Sequence, residues 1–244
     1  MKIQYVSDLH LECKSNIDSI IHINKEADVV IIAGDLDVGS KIFNTLIELS
    51  KKQIVIFVYG NHEFYGNKSI WKLKNKGKTV TKYNKNLHIL DRESIIIGDT
   101  TFIGATGWID GSFKDISSQQ FPRYNDFYYI KGFDKACQLW GQKDRRYLQK
   151  TISESKTKNN IIITHFLPLI SCISKKYEHD SYNPCFSNSW KWIFDYADKI
   201  NYWIHGHSHE YLDYNLMGLT FCRNPFGYPH ENTEFKSNKF IEID

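Results

Sequence analysis

Three uninterrupted apolar runs do most to limit what this chain can fold into: Asp28 to Ala33 (D-V-V-I-I-A), Gln53 to Val58 (Q-I-V-I-F-V) and Asn160 to Thr164 (N-I-I-I-T). A run of this length without polar alternation is the pattern of a strand buried on both faces, which needs a layer above and a layer below. Between the first two runs, residues 40 to 51 place Ile42, Phe43, Leu46, Ile47 and Leu49 at helical spacing. Strand, helix, strand with short connections predicts an α/β domain. Lys2 to Val6 and Tyr202-Trp203-Ile204 read as further strands. At 244 residues, with 41% hydrophobic and 15% aromatic content, the chain can bury a sizeable core. It shows no repeat, low-complexity tail or linker, so residues 1–244 are expected to form a single domain.

The rest of the chain reads more coarsely. The segment after Glu63 is expected to hold a loop and a short helix around Trp71. Leu87 to Leu90, Ser94 to Ile97 and Thr101 to Gly104 read as closely spaced strands, the last two turned by Gly98-Asp99. Residues 106 to 130 are irregular and aromatic, and about 20 residues from Phe133 look helical. A helix is expected over residues 188 to 198, and strands over 211 to 215, 219 to 222 and 239 to 243.

Charge and cysteine usage exclude several classes. A net charge of +3 is too small to imply a polyanionic partner by itself. Residues 67 to 86 nonetheless hold seven lysines and no acid. Five widely spaced cysteines without a C-x-x-C pair read as reduced thiols, not as a disulfide framework or a thiolate zinc site. No segment has the ~18 to 20 continuous apolar residues that span a bilayer. Asp8, His10 and Glu12 near the start leave no apolar signal-peptide region. The expectation is a cytoplasmic protein with no membrane contact and no obligate protein partner.

Each of five strands ends in side chains of metal-ligand type: Asp8 and His10, Asp35, Asn61, His165, and His207 with His209. In open α/β sheets, sites form beyond the carboxyl ends of the strands. His207 and His209 are two apart, so in extended backbone both can face one side. Seven nitrogen and oxygen donors are too many for one ion that must keep an open position. They suit two ions with a bridging carboxylate, ~3.5 to 4 Å apart. Six of the ten histidines lie in these motifs; His22, His88, His179 and His230 read as structural or surface residues.

Such a site suits hydrolysis of a phosphate ester. Two cations offset charge on the phosphoryl oxygens, and a water bridging them can attack as hydroxide near neutral pH. The leaving alkoxide needs a proton from a group beside the metals that does not bind one. His62, adjacent to Asn61, is the candidate.

The ordered set D-L-H, G-D-L-D, G-N-H-E, T-H and G-H-S-H, spanning residues 8 to 209, resembles the calcineurin-like metallophosphoesterase superfamily. The resemblance implies a four-layer α-β-β-α sandwich of two mixed sheets flanked by helices. It implies that Asp8, His10 and His209 bind a first metal, that Asp35 bridges, that Asn61, His165 and His207 bind a second, and that His62 is the acid or a phosphate contact. His207 and His209 would then serve different ions. T-H-F-L-P, N-D-F at Asn125 to Phe127 and N-P-F-G-Y-P at 224 to 229 resemble small bacterial and viral members. Many relatives carry a second histidine where Phe166 stands, a position that would belong to the pocket wall.

Further candidates are His205 as support for a ligand or a packed strand-end histidine, and Asp37 or Glu63 as groups that orient His62 or simply stay solvated. The flanks of the motifs lack the arginines of serine/threonine protein phosphatases, and the length argues against the extra domains of nucleotidases and repair nucleases. The reading preferred here is a phosphodiesterase acting on a nucleotide or nucleic-acid-like substrate. It rests on the lysine run and on Phe121-Pro122-Arg123-Tyr124, where Arg123 and Tyr124 can follow a backbone and stack a base. The alternatives are a phosphomonoesterase acting on a small metabolite or phosphoprotein, and a non-catalytic scaffold. The donor set suits Mn²⁺ for reconstitution, or Fe, Zn²⁺ or Ni²⁺.

Overall fold

Lys2–Val6 form β1, Val29–Ala33 form β2, Ile42–Ser50 form α1 and Ile54–Val58 form β3, so the first apolar runs become adjacent parallel strands linked by a helix. The computed structural model describes residues 1–13, 24–66 and 69–243; His22 and Lys68 lie outside the described residues. Ile70–Tyr83 form α2, and Leu87–Ile89 form β4, which adds to β3 in parallel. Glu93–Ile97 (β5) and Thr100–Gly104 (β6) make an antiparallel hairpin. Asp126–Tyr129 form the one-turn α3, Phe133–Glu154 form α4 and Asn159–Ile163 form β7. Tyr202–Ile204 (β8), Leu212–Leu216 (β9), Leu219–Arg223 (β10) and Phe240–Glu242 (β11) complete the order. The strands build a five-stranded sheet, β11-β1-β2-β3-β4, and a six-stranded sheet, β5-β6-β7-β8-β10-β9. Both are mixed, because β11, β5 and β9 run against their neighbours.

Alternation along β2 shows why a continuous apolar run was required. Val29, Ile31 and Ala33 pack between the sheets with Ile161, Ile163 and Ile204, whereas Val30 and Ile32 pack outward against Ile42, Phe43 and Leu46 of α1. On the far side, Ile103, Ile162, Trp203 and Phe221 pack against Leu148 and Ile152 of α4 and against Trp190 and Ile193. The result is the expected four-layer α-β-β-α sandwich of two mixed sheets flanked by helices.

Three local expectations change. The segment around Trp71 is a 14-residue helix, started by Ser69, whose side chain accepts from the Lys72 N–H at 3.3 Å. Only Leu73 and Gly77 of α2 are buried; a Cβ on Gly77 would collide with the Tyr59 hydroxyl, so this helix sits down on the sheet through a glycine. The helix expected over 188 to 198 is a 3₁₀ segment, Lys191–Tyr196. Here Trp190 donates from Nε1 to Asp110 at 2.9 Å, which fixes the chain by its side chain instead of by a regular helical face. Finally, β4 belongs to a different sheet from β5 and β6, although the three are close in sequence. No helix among the described residues is long and apolar enough to cross a membrane.

Candidate metal centre

The donors gather where the two sheets meet at the carboxyl ends of β1, β2, β3, β7 and β8. Asp8, His10, Asp35 and His207 all have positive φ, at 53°, 45°, 53° and 68°. That is the left-handed region, which is costly for residues with a Cβ and recurs at functional sites. The turns are held by backbone bonds between elements: Asp8 N–H to Gly34 O at 3.0 Å, His10 N–H to Asp35 O at 3.0 Å and Gly206 N–H to His165 O at 3.0 Å. Gly206 has no room for a side chain, since a Cβ would lie 2.8 Å from both Ala33 O and Asp8 Oδ2.

Proton placement shows which atoms of the cluster can bind a cation. His10 Nδ1 faces Glu12 Oε1 at 2.9 Å and His209 Nδ1 faces Glu231 Oε2 at 2.6 Å. An ionised carboxylate only accepts, so each Nδ1 carries a proton, and each ring in its neutral form presents its lone pair at Nε2. Those two Nε2 atoms face each other at 3.1 Å, with Asp8 Oδ1 3.5 Å from that of His209. The second group repeats this logic. His165 Nδ1 must donate to Ala33 O at 2.9 Å, which turns Nε2 toward Asn61 Oδ1 at 3.0 Å, His207 Nδ1 at 3.2 Å and Asp35 Oδ2 at 3.3 Å. The Asn61 amide is set by its Nδ2, which donates to Asp126 Oδ1 at 2.8 Å. Donors at such separations suit a shared cation, a proton in the metal-free protein and a metal ion in the loaded one. Asp8, His10 and His209 bring ligand atoms within 4.8 Å of one another, and so do Asp35, His165 and His207. The donors therefore fit divalent metal ions without thiolate ligands.

His62 stands beside both groups. Its backbone N–H donates to Asp35 Oδ1 at 2.9 Å, its Nδ1 meets Glu12 Oε1 at 2.9 Å, and its Nε2 is 3.2 Å from the Tyr228 hydroxyl and 4.0 Å from Asp35 Oδ2. Burial favours the neutral ring, but the charges of Asp35 and Glu12 outweigh it and raise the His62 pKa.

In the metal-free protein, burial opposes ionisation of Asp35, yet His165, His62 and His10 hold its carboxyl well below the usual range. Against burial, Asp35 raises His165 to about 9. Hydrogen bonds to Asp8 and Glu231 likewise raise His209 to about 10. His207 is pushed well below its ordinary value, first by burial and then by His165. Raised histidines contribute stability that is complete below the unfolded value of 6.5 and is lost as pH rises through the folded values of about 9 and about 10. The chelated protein should therefore show a melting temperature that falls between pH 7 and pH 10. Metal loading displaces those protons and should flatten the fall. Scanning calorimetry across this range checks both, and a flat profile for the chelated protein would contradict the raised values of His165 and His209.

Several candidates take roles other than those expected. Glu63 neither orients His62 nor stays solvated. It is fully buried and accepts from the backbone N–H groups of Asp35 (3.2 Å), Leu36 (2.7 Å) and Gly60 (2.6 Å), with its pKa raised to about 8 by burial and by Asp35. Asp37 is buried and binds the Val38 N–H at 2.6 Å, so it does not orient His62 either. His205 is the packed strand-end histidine: its Nδ1 faces Gly206 O at 3.3 Å and its Nε2 has no partner among the described residues. Phe166 is not pocket wall. It is fully buried behind His207, with ring centroids 4.1 Å apart.

A cleft of about 540 Å³ opens over the donors. Asp35, Asn61, His62, His207 and His209 line it, and Tyr65, Tyr124, Phe186 and Tyr228 stand around them. Tyr177, Tyr182 and Ile173 extend the lining along the segment after β7, and Arg123 is its one lysine or arginine among the described residues. Tyr124 also reaches His207 Nε2 at 3.3 Å. The lysines of α2 do not line the cleft; Lys74 pairs instead with Asp91 at 2.7 Å. Sequence reasoning missed Glu12, Tyr65, Asp126, Tyr228 and Glu231. Three of these had a signal, since Glu12 follows D-L-H after one intervening residue, Asp126 lies within N-D-F and Tyr228 within N-P-F-G-Y-P.

Facing mixed sheets with three overlapping groups of possible metal donors at their shared edge, one of them His10, Asp35 and His62, define a four-layer protein of metal-binding type. The chain belongs to the calcineurin-like phosphoesterase family, whose model matches residues 1–211. It is 29% identical to an uncharacterized protein of Acanthamoeba polyphaga mimivirus, over 99% of this chain and 96% of that one. The fold is similar to phosphopantetheinyl hydrolase from Mycobacterium tuberculosis, with a TM-score of 0.73 and 16% identity over 93% of this chain and 90% of that one. It is also similar to a dimetal phosphatase from Danio rerio, with a TM-score of 0.52 and 14% identity over 93% and 87% of the two chains.

Proposed function

We propose that this phosphoesterase is a phosphodiesterase acting on a nucleotide or nucleic-acid-like substrate with two divalent metal ions. The carrying observation is the cleft: it is far larger than a phosphate, it is walled by aromatic rings, and its lining holds one arginine as well as the carboxylates of Asp180 and Glu231. A dianionic monoester would gain from several cations around its phosphoryl oxygens. A singly charged diester needs fewer, and its second ester group fills space that aromatic rings can stack against.

Asp8, His10 and His209 would hold one ion, Asn61, His165 and His207 the other, and Asp35 would serve both. When bound, the ions supply charge neutralisation at the phosphoryl oxygens and lower the pKa of water. The chain's own residues do the rest. Asp126 keeps the Asn61 amide oxygen turned inward. Glu12 holds His62 by Nδ1, so that a proton at Nε2 points to where the Tyr228 hydroxyl now stands, 3.2 Å away. That proton passes to the departing oxygen. Tyr65 stacks on His62, with centroids 4.2 Å apart, and limits how the ring can turn.

The test is reconstitution with Mn²⁺, then with Fe²⁺, Zn²⁺ and Ni²⁺, and assay on bis-p-nitrophenyl phosphate, p-nitrophenyl phosphate, a dinucleotide and a phosphopantetheinyl ester. The diester should be preferred over the monoester by about tenfold or more in kcat/KM, or about 1.4 kcal/mol of transition-state stabilisation. The reverse preference would overturn the diester reading in favour of a phosphomonoesterase. A loaded protein inert on every substrate would favour a scaffold.

A further inference from the structure

Glu12 sits in the short turn Leu11–Cys13, outside every donor cluster described above. The turn is fixed by Leu11 N–H to Leu36 O at 2.9 Å and Cys13 N–H to His10 O at 2.9 Å. One oxygen, Oε1, meets two imidazoles at once: His10 Nδ1 at 2.9 Å and His62 Nδ1 at 2.9 Å. Its Oε2 is buried and has no hydrogen-bond partner among the described residues. The two rings it joins pack edge to face, with centroids 4.4 Å apart. The other carboxylate behind a first-cluster histidine, Glu231, meets His209 Nδ1 at 2.6 Å and the Tyr228 backbone N–H at 2.7 Å. Glu12 therefore hydrogen-bonds, through one oxygen, both a metal-side ring and the ring beside the departing group.

We propose that Glu12 is a positioning residue whose single oxygen holds His10 and His62 in one register, so that the metal centre and the proton donor are set by the same atom. This rests on the hydrolytic reading of the site. A carboxylate oxygen has lone pairs for both N–H groups. Sharing it sets the tautomer of each ring, leaving Nε2 of His10 bare toward the donors and Nε2 of His62 facing the cleft. A shift of either ring is then passed to the other.

Glu12→Gln keeps an acceptor oxygen of the same reach and removes the charge. With histidine-selective isotope labelling, the Nδ1–H resonances of both His10 and His62 should move together in this variant. Movement of only one ring overturns the shared oxygen, whatever the activity. Turnover is then read on two diesters at saturating metal, one with a p-nitrophenolate leaving group and one with an alkoxide. A poor leaving group depends on the acid and a good one does not, so the alkoxide ester should slow by about tenfold or more and the nitrophenyl ester by less than about threefold. Glu12→Gln combined with His62→Ala should lose no more than His62→Ala alone. Equal losses on both esters, or losses that add, would show that Glu12 does not act through His62. A wild-type protein that cuts neither diester would sink the hydrolytic reading instead, and the resonance measurement would still decide the register.

Discussion

Asp35→Ala should leave a folded protein that retains neither metal equivalent after dialysis and hydrolyses diesters at least about a thousandfold more slowly, the scale of losing a dominant electrostatic element. Asp35 lies between the clusters, with Oδ2 3.3 Å from His165 Nε2 and 3.9 Å from His10 Nε2. Its Oδ1 accepts the His62 N–H, so the same substitution loosens the proton donor. Asn61→Ala touches one cluster and should remove one equivalent. Metal content measured beside turnover separates the two variants, and an Asp35→Ala protein that keeps two equivalents would end the bridging assignment.

The second large effect concerns stability. Glu63→Ala should destabilise the protein by about 3 kcal/mol or more, because three backbone N–H groups in a buried turn lose their acceptor. For a chain of this length that corresponds to a fall in melting temperature of about 6 to 12 °C. The damage lies directly behind Asp35, so metal affinity should fall with it. Thermal melts of the loaded and chelated variant check this, and an unchanged melting temperature would mean that solvent replaces the carboxylate without penalty.

Much of the fold was legible because double-sided burial leaves a direct trace: the runs at 28 to 33, 53 to 58 and 160 to 164 all became central strands. Their polar ends were equally legible, since donor side chains have no reason to follow such runs in a packed core. What the sequence could not carry was partnership at a distance. Glu12 acquires its role from a residue 50 positions away and Asp126 from one 65 away, and neither residue type is unusual where it stands. Glu63 was misread for a related reason: a carboxylate at the end of a motif resembles a solvated one until three backbone donors converge on it. The stretch at 188 to 198 was expected to be a helix, but Trp190 is tied to Asp110 and residues Lys191–Tyr196 form a 3₁₀ segment. The lysine-rich stretch misled through proximity, because following Glu63 in sequence placed it on an outer layer and not in the cleft.

Each sheet supplies only part of the donor set: Asp8, His10, Asp35 and Asn61 come from one, and His165, His207 and His209 from the other. Ions held there would act as rivets across the sandwich, tying together layers that are otherwise joined mainly by apolar packing. A protein built this way has its cofactor and its mechanical fastening in the same place. Stripping the metal would do more than silence the chemistry, because it would unpin both sheets at the edge where the strained turns lie.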